Sequence, residues 1–419
     1  MKKLLLASTA LLAGSAFAAQ AAEPVKLSVG GFLQGQVIIM DQDKVKSAAN
    51  GAVTEAANVD TMSFGQINFK GSTKLDNGIG VDVAVETLAT QWADSRNANG
   101  ANGNRGNGNN GNVRRAYLTL TSSFGQIILG QREDYGFITA NSAPDVGWGV
   151  QDGDWGNVFN TPAGYYANWT TNNSRYNART EKITLITPTF AGFSAGFTYT
   201  PDINQSNTGN LVIASDSDTV AGTAVGGSLI NRSAFAGDQY QVGATYTNKF
   251  GDVGVKANVA VSQFDIANMT TYQGGLQVTY AGFAVGGSIF NRDVGKSERV
   301  FANNATNTNL AVYNAKGLMR AGTNFDVGAS YTTGPYAVSL GYFQDKSKGL
   351  AGDAANLGNS LGLGAAGKTQ VYSLAGKYAM GPGVDFRTSF YYADLDSNRT
   401  AQYSENKGFA VISGVRVTF

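Results

Sequence analysis

The groups that could do chemistry in this chain are carboxylates, guanidiniums and ammoniums, because the sequence has no histidine and no cysteine. No Ser-His-Asp triad, Cys-His pair or imidazole- or thiolate-ligated metal site can be built from it. Carboxylate-only enzymes stay open in principle, but no spacing calls for one, so the expectation is a non-enzyme without cofactor. The acidic residues that stand out are Asp145, Asp152 and Asp154. They lie in a stretch from about 131 to 180 that also holds Trp148, Trp155 and Trp169, three of the 4 tryptophans. A connection of that length far exceeds an ordinary loop and points to a function. Clustered acidic oxygens of this kind could also hold a divalent cation. Basic side chains accompany them, Arg175, Arg179 and Lys182 just downstream and Arg115 upstream.

These residues need elements to hold them, and the sequence supplies strands. Near the C-terminus Phe409, Val411, Val415, Val417 and Phe419 share one parity, broken only by Ser413. Gly408, Gly414, Arg416 and Thr418 share the other, with Ile412 as its one large apolar exception. Successive side chains of a strand point to opposite faces, so this segment has one apolar and one wetter side. About sixteen such segments follow one another at the length of a tilted barrel strand. Short turns such as Leu75-Asp76-Asn77-Gly78, Gly251-Asp252, Gly334-Pro335 and Pro382-Gly383 join them at one end, and long polar connections join them at the other.

Charges inside these segments sit opposite the apolar parity, among them Lys70, Glu86, Arg115, Lys256, Asp326, Arg387 and Arg416. A lipid-facing Arg or Lys costs roughly 2–4 kcal/mol at the bilayer midplane, so a membrane would enforce this segregation. Tyr and Phe gather toward the ends of the apolar faces, as an aromatic girdle requires; a soluble sandwich would alternate too but needs no girdle. The expected fold is all-β: a transmembrane antiparallel β-barrel of about 16 strands, whose lumen gives the tryptophan-rich loop a surface to pack on.

The N-terminus reads as an export signal. Lys2 and Lys3 precede an apolar core from Leu4 to Leu12, and Ala19-Gln20-Ala21 forms a small-residue exit. Residues 1–21 are therefore expected as a cleaved signal peptide and 22–419 as the barrel domain, with a cut after Ala18 as the lesser option. No later apolar run approaches the roughly 18 residues of a spanning helix. Without Lys2 and Lys3 the 31 basic residues become 29 against 30 acidic ones. That balance is wrong for nucleic-acid binding, which wants a basic excess.

Ordered motifs then carry a family resemblance. The stretch Ile67-Asn68-Phe69-Lys70-Gly71 through Lys74-Leu75-Asp76-Asn77-Gly78-Ile79-Gly80-Val81 resembles a signature of Gram-negative general-diffusion porins. Arg115-Ala116-Tyr117-Leu118, followed by Phe124-Gly125-Gln126-Ile127-Ile128-Leu129-Gly130, is similar to their fourth and fifth strands, and the terminal Phe419 matches as well. The resemblance implies a sixteen-stranded homotrimer in the outer membrane whose third loop folds inward and narrows the pore. It implies an acidic loop, here Asp145, Asp152 and Asp154, facing a basic wall. Arg115 is chosen over Arg114 for that wall because it carries the lumen parity, and Arg175, Arg179 and Lys182 extend it. Rim salt bridges are the competing account of these last three. Phe32 and Gln66 stand where the family carries further basic residues. Phe419 becomes the signal read by the barrel-insertion machinery. The Asn/Gly-rich segment 97–112 is read as a surface loop, with a latch onto a neighbouring subunit as the alternative.

The function expected is an outer-membrane porin passing small hydrophilic solutes and ions by passive diffusion. A substrate-selective channel, for sugars for example, is the alternative, and a structural anchor or adhesin a third. Scattered lumen-parity aromatics (Phe32, Tyr117, Phe343, Tyr391) favour the general pore over an aromatic slide.

Overall fold

The computed structural model describes residues 24–46, 53–89, 113–149, 154–162, 170–172, 179–201, 238–265, 269–294, 300–301, 313–314, 321–348, 366–397 and 404–419. The expected signal peptide, segment 97–112, Asp152, Trp169 and Arg175 lie outside them. Sixteen strands form one closed antiparallel barrel. In chain order they are β1 Lys26–Gln42, β2 Val59–Lys74, β3 Gly80–Leu88 and β4 Val113–Ser122. Then follow β5 Gly125–Gln131, β6 Glu181–Ile186, β7 Phe193–Thr200 and β8 Gln239–Phe250. Next are β9 Val253–Phe264, β10 Met269–Tyr280, β11 Phe283–Val294 and β12 Gly322–Thr333. The last are β13 Tyr336–Ser347, β14 Gly367–Gly381, β15 Val384–Asp396 and β16 Glu405–Thr418.

Each strand pairs with its sequence neighbours, and β1 closes the ring on β16 from Phe32 opposite Thr418 to Gln42 opposite Gly408. The terminal residue completes that seam. Phe419 donates its N–H to the Gly31 carbonyl (3.0 Å), and Gly31 donates back to Phe419 O (2.8 Å). Closure leaves the barrel sheet itself without an open edge strand, the condition for a sheet in lipid.

The tight turns fall where the sequence placed them. At the β2–β3 turn Leu75 N–H bonds Ile79 O (2.9 Å), and Gly78 takes φ 81°, a left-handed conformation that glycine enters without penalty. Outside the barrel, apolar side chains stand exposed, Leu340 at 61% and Val259 at 60% among them, as a lipid-facing wall requires. Aromatic contacts band both ends of this wall. Phe193–Tyr246, Phe283–Tyr331 and Tyr336–Tyr378 lie toward the short turns, and Tyr199–Tyr240 and Tyr342–Tyr372 toward the long loops. On the opposite parity Gln34, Gln36, Gln241, Asn258, Ser262, Gln273 and Ser339 are buried, which gives the inside its polar lining.

Candidate functional site

The connection after β5 runs along the inner wall, and its hydrogen bonds trace the route. Asp134 caps a single helical turn, Tyr135–Ile138, by accepting from Phe137 N–H at 2.9 Å. Tyr135 N–H then reaches Thr198 of β7 (3.1 Å), and Gly136 N–H reaches Gln241 of β8 (2.6 Å). Asn141 N–H bonds Asn258 of β9 (2.8 Å), and Ala143 N–H bonds Asp326 of β12 (2.7 Å). Val146 N–H bonds Ser339 of β13 (3.1 Å), and Trp148 N–H bonds Ser389 of β15 (2.9 Å). Asn160 N–H finally reaches Gln42 of β1 (2.7 Å). Every wall partner lies on the lumen parity, and the partners come mostly in strand order. The loop is thus laid inside the barrel, with its backbone donors satisfied by wall side chains.

Two kinds of packing hold it there. Tyr135 is 1% exposed and lies against Gly196 of β7 and Gly243 of β8, where an added Cβ would come within 2.3 Å and 3.0 Å of its ring. Further on, Trp148, Trp155, Val158 and Phe159 of the loop bury themselves among Ile38, Met40, Phe343, Val371, Tyr391, Leu395 and Ile412 of the wall. This is a hydrophobic core inside the lumen. The Trp155 and Phe343 ring centroids are 5.8 Å apart. A returning segment is tied down at Asp326, which accepts from Thr171 (2.8 Å) and Ser288 (2.6 Å) as well as Ala143.

The charged residues gather on the other side. Arg115 of β4 is clamped between two carboxylates. Its Nε and Nη2 donate to Glu133 at 2.7 Å and 2.6 Å, and its Nη1 donates to Glu86 of β3. Arg179 Nε donates to the same Glu133 at 2.9 Å. Burial works against a charge on Glu133, but the Arg115 hydrogen bond and the Arg179 and Arg115 charges outweigh it and hold the acid at about 2. Lys182 of β6 is buried, and its ammonium donates to the carbonyls of Arg132 and, at 2.7 Å, Thr180, so it ties the two ends of the loop together.

The acidic side of the expected site is sparser. Asp145 accepts from its own Gly147 N–H (2.7 Å) and from Ser339 of β13 (3.4 Å). Around the ring, β13 stands seven strands from β4 one way and nine the other, so Asp145 and Arg115 are attached to opposite walls. Asp154 opens a short 3-10 turn, Asp154–Asn157. The sequence reading set Arg114 aside in favour of Arg115. A register shift opposite Glu86 and Thr87 inserts one extra residue in β4, which breaks the alternation that had assigned Arg114 outward. Arg114 instead donates to Gln66 of β2 at 3.1 Å and sits over the Phe64 ring. Glu86 already carried the lumen parity, but nothing in the sequence marked Glu133 as the shared acceptor of two arginines. Among the described residues no cluster of acidic side chains is arranged to hold a metal ion.

A family model described as Gram-negative porin matches residues 7–398. No curated protein sequence matches the chain. Among solved structures, an OmpT loop-deletion form, an outer-membrane protein of Vibrio cholerae, aligns over 95% of this chain and 100% of its own at 12% identity and a TM-score of 0.53. The anion-selective porin from Comamonas acidovorans aligns over 94% and 100% at 15% identity and 0.51. The outer-membrane channel DcaP of Acinetobacter baumannii aligns over 94% and 97% at 13% identity and 0.52. At these identities the likeness is one of fold.

Proposed function

The chain belongs to the Gram-negative porins, outer-membrane channels for diffusion, and from that premise we propose how this one selects and assembles. Small hydrophilic solutes and ions pass between the loop that carries Asp145, Asp152 and Asp154 and the arginine wall built around Arg115. The transverse field between these groups orients and sorts charged solutes at the narrowest point. The observation that carries this reading is the loop bonded residue by residue along the inner wall, with Arg115 and Asp145 on opposite sides. Arg175, Arg179 and Lys182 extend the basic side, and Lys182 acts by fixing the loop rather than by facing solute.

Residues 1–21 serve as a cleaved export signal, and Phe419 as the element the insertion machinery reads. The working unit is a homotrimer in outer-membrane lipid. One OmpT structure is described as a trimer form, and closed cyclic symmetry is the usual outcome for such assemblies. The pore is a general one and performs no reaction. Uptake of neutral sugars of increasing size into liposomes holding the purified protein tests this. Rates falling smoothly with size, whatever the sugar, are expected. Saturable uptake of one sugar would favour the substrate-selective alternative.

A further inference from the structure

The lumen face of β16, β1, β2 and β4 carries guanidiniums and rings in a row. The Arg416 guanidinium lies 3.8 Å from the Phe32 ring centroid. Phe32 meets Phe64 edge-on at 5.5 Å, and Arg114 sits 5.7 Å over Phe64. On the adjoining wall Arg132 lies 4.5 Å over Tyr117. All six side chains are half-buried. A guanidinium stacked on a ring is fixed in plane while its N–H fork stays available for a carboxylate. Among the described residues neither Arg114 nor Arg132 has a carboxylate at ion-pair distance, whereas neighbouring Arg115 has two. Charge ready to receive an anion is therefore set beside aromatic surface.

We propose that this row is a transient subsite for aromatic monocarboxylates, which makes the pore discriminate among anions of equal charge. The proposal rests on the chain being a diffusion channel. The carboxylate takes the fork of Arg114, and the ligand ring packs against Phe32 and Phe64. An aliphatic carboxylate gains only the first contact and a neutral aromatic only the second. Ring pairing of this kind is worth a few-fold to about tenfold in affinity.

The test is block of KCl current through the full-length protein in planar bilayers at about 0.1 M salt, where fixed charge is weakly screened. Sodium benzoate, sodium acetate and benzyl alcohol are the probes, each read relative to the same channel's own KCl conductance. Benzoate should reduce the current at concentrations several-fold below acetate, and benzyl alcohol should not reduce it. Phe32→Leu, Phe64→Leu and the double variant keep apolar bulk without the ring, and each should move benzoate toward acetate. Arg114→Gln should weaken both anions together. Equal block by benzoate and acetate in the unmodified channel, or a benzoate preference that survives Phe32→Leu and Phe64→Leu, would overturn the subsite while leaving the channel intact. Absence of any KCl conductance would contradict the channel reading itself and take the subsite with it.

Discussion

Replacing Glu133 by glutamine probes the charged wall at its most connected point. The carboxylate is 4% exposed and receives Arg115 at 2.6 Å and Arg179 at 2.9 Å. Glutamine keeps the shape and one acceptor but removes the charge that separates two guanidiniums. The fall from the ordinary 4.5 to about 2 corresponds to roughly 3 kcal/mol in favour of the ionised form, at about 1.4 kcal/mol per tenfold. Because the folded value is the depressed one, that stabilisation is fully present above pH 4.5 and is lost as pH falls toward 2. Glu133→Gln should therefore lower the unfolding free energy at pH 7 by about 1.5–3 kcal/mol, the range for hydrogen bonds to charged groups. The gap from the unmodified protein should close on acidification through this window. Denaturant unfolding of the detergent-solubilised protein at pH 7 and near pH 2 reads both quantities. An unchanged midpoint at pH 7, or a difference that persists undiminished in acid, would show that the arginines do not depend on Glu133.

Three further outcomes are expected. Leu340→Arg, at a lipid-facing position 61% exposed in mid-strand, should destabilise the barrel by roughly 2–4 kcal/mol in a refolding assay; Val255→Arg, two residues into β9 from its turn, should cost less because the penalty falls toward the interface. Gly196→Ala would push a methyl to within 2.3 Å of the Tyr135 ring and displace the start of the inward loop, so single-channel current should become noisier, and a trace as quiet as that of the unmodified protein would contradict the packing. Removing Phe419 breaks the seam bonds to Gly31 and the proposed insertion signal, so exported protein should accumulate with little heat-modifiable barrel; normal assembly in the deletion strain would refute it.

The barrel was legible because lipid imposes one rule on every strand. Apolar residues at one parity recur from strand to strand, charges within the strands fall mostly on the other, and glycine or proline marks most of the tight turns. The exceptions were the less readable part, and they prove to be the loop's docking surface. Ile412 breaks the wet parity of β16, and Ile38 and Met40 do the same in β1. All three are buried under the loop tryptophans. Phe343 and Tyr391 looked like isolated lumen aromatics and belong to the same core. The charged wall was read in part. Arg115 follows from parity, but Arg114 requires knowing that β4 carries a bulge, which depends on pairing with β3 rather than on local sequence. Glu133 acquires its role only when the chain after β5 turns inward and brings Arg179 back from 46 residues downstream.

Reversal potential across a KCl gradient, taken with the low side near 0.1 M so that the Debye length is about 10 Å, addresses the charged constriction most directly. The purified protein, Asp145→Asn and Arg115→Gln are compared as open channels in the same bilayer. The account predicts that Asp145→Asn moves the potential toward anion preference and Arg115→Gln moves it toward cation preference. Identical potentials in all three channels would mean that ions do not pass between these residues, and the loop-and-wall constriction would have to be given up.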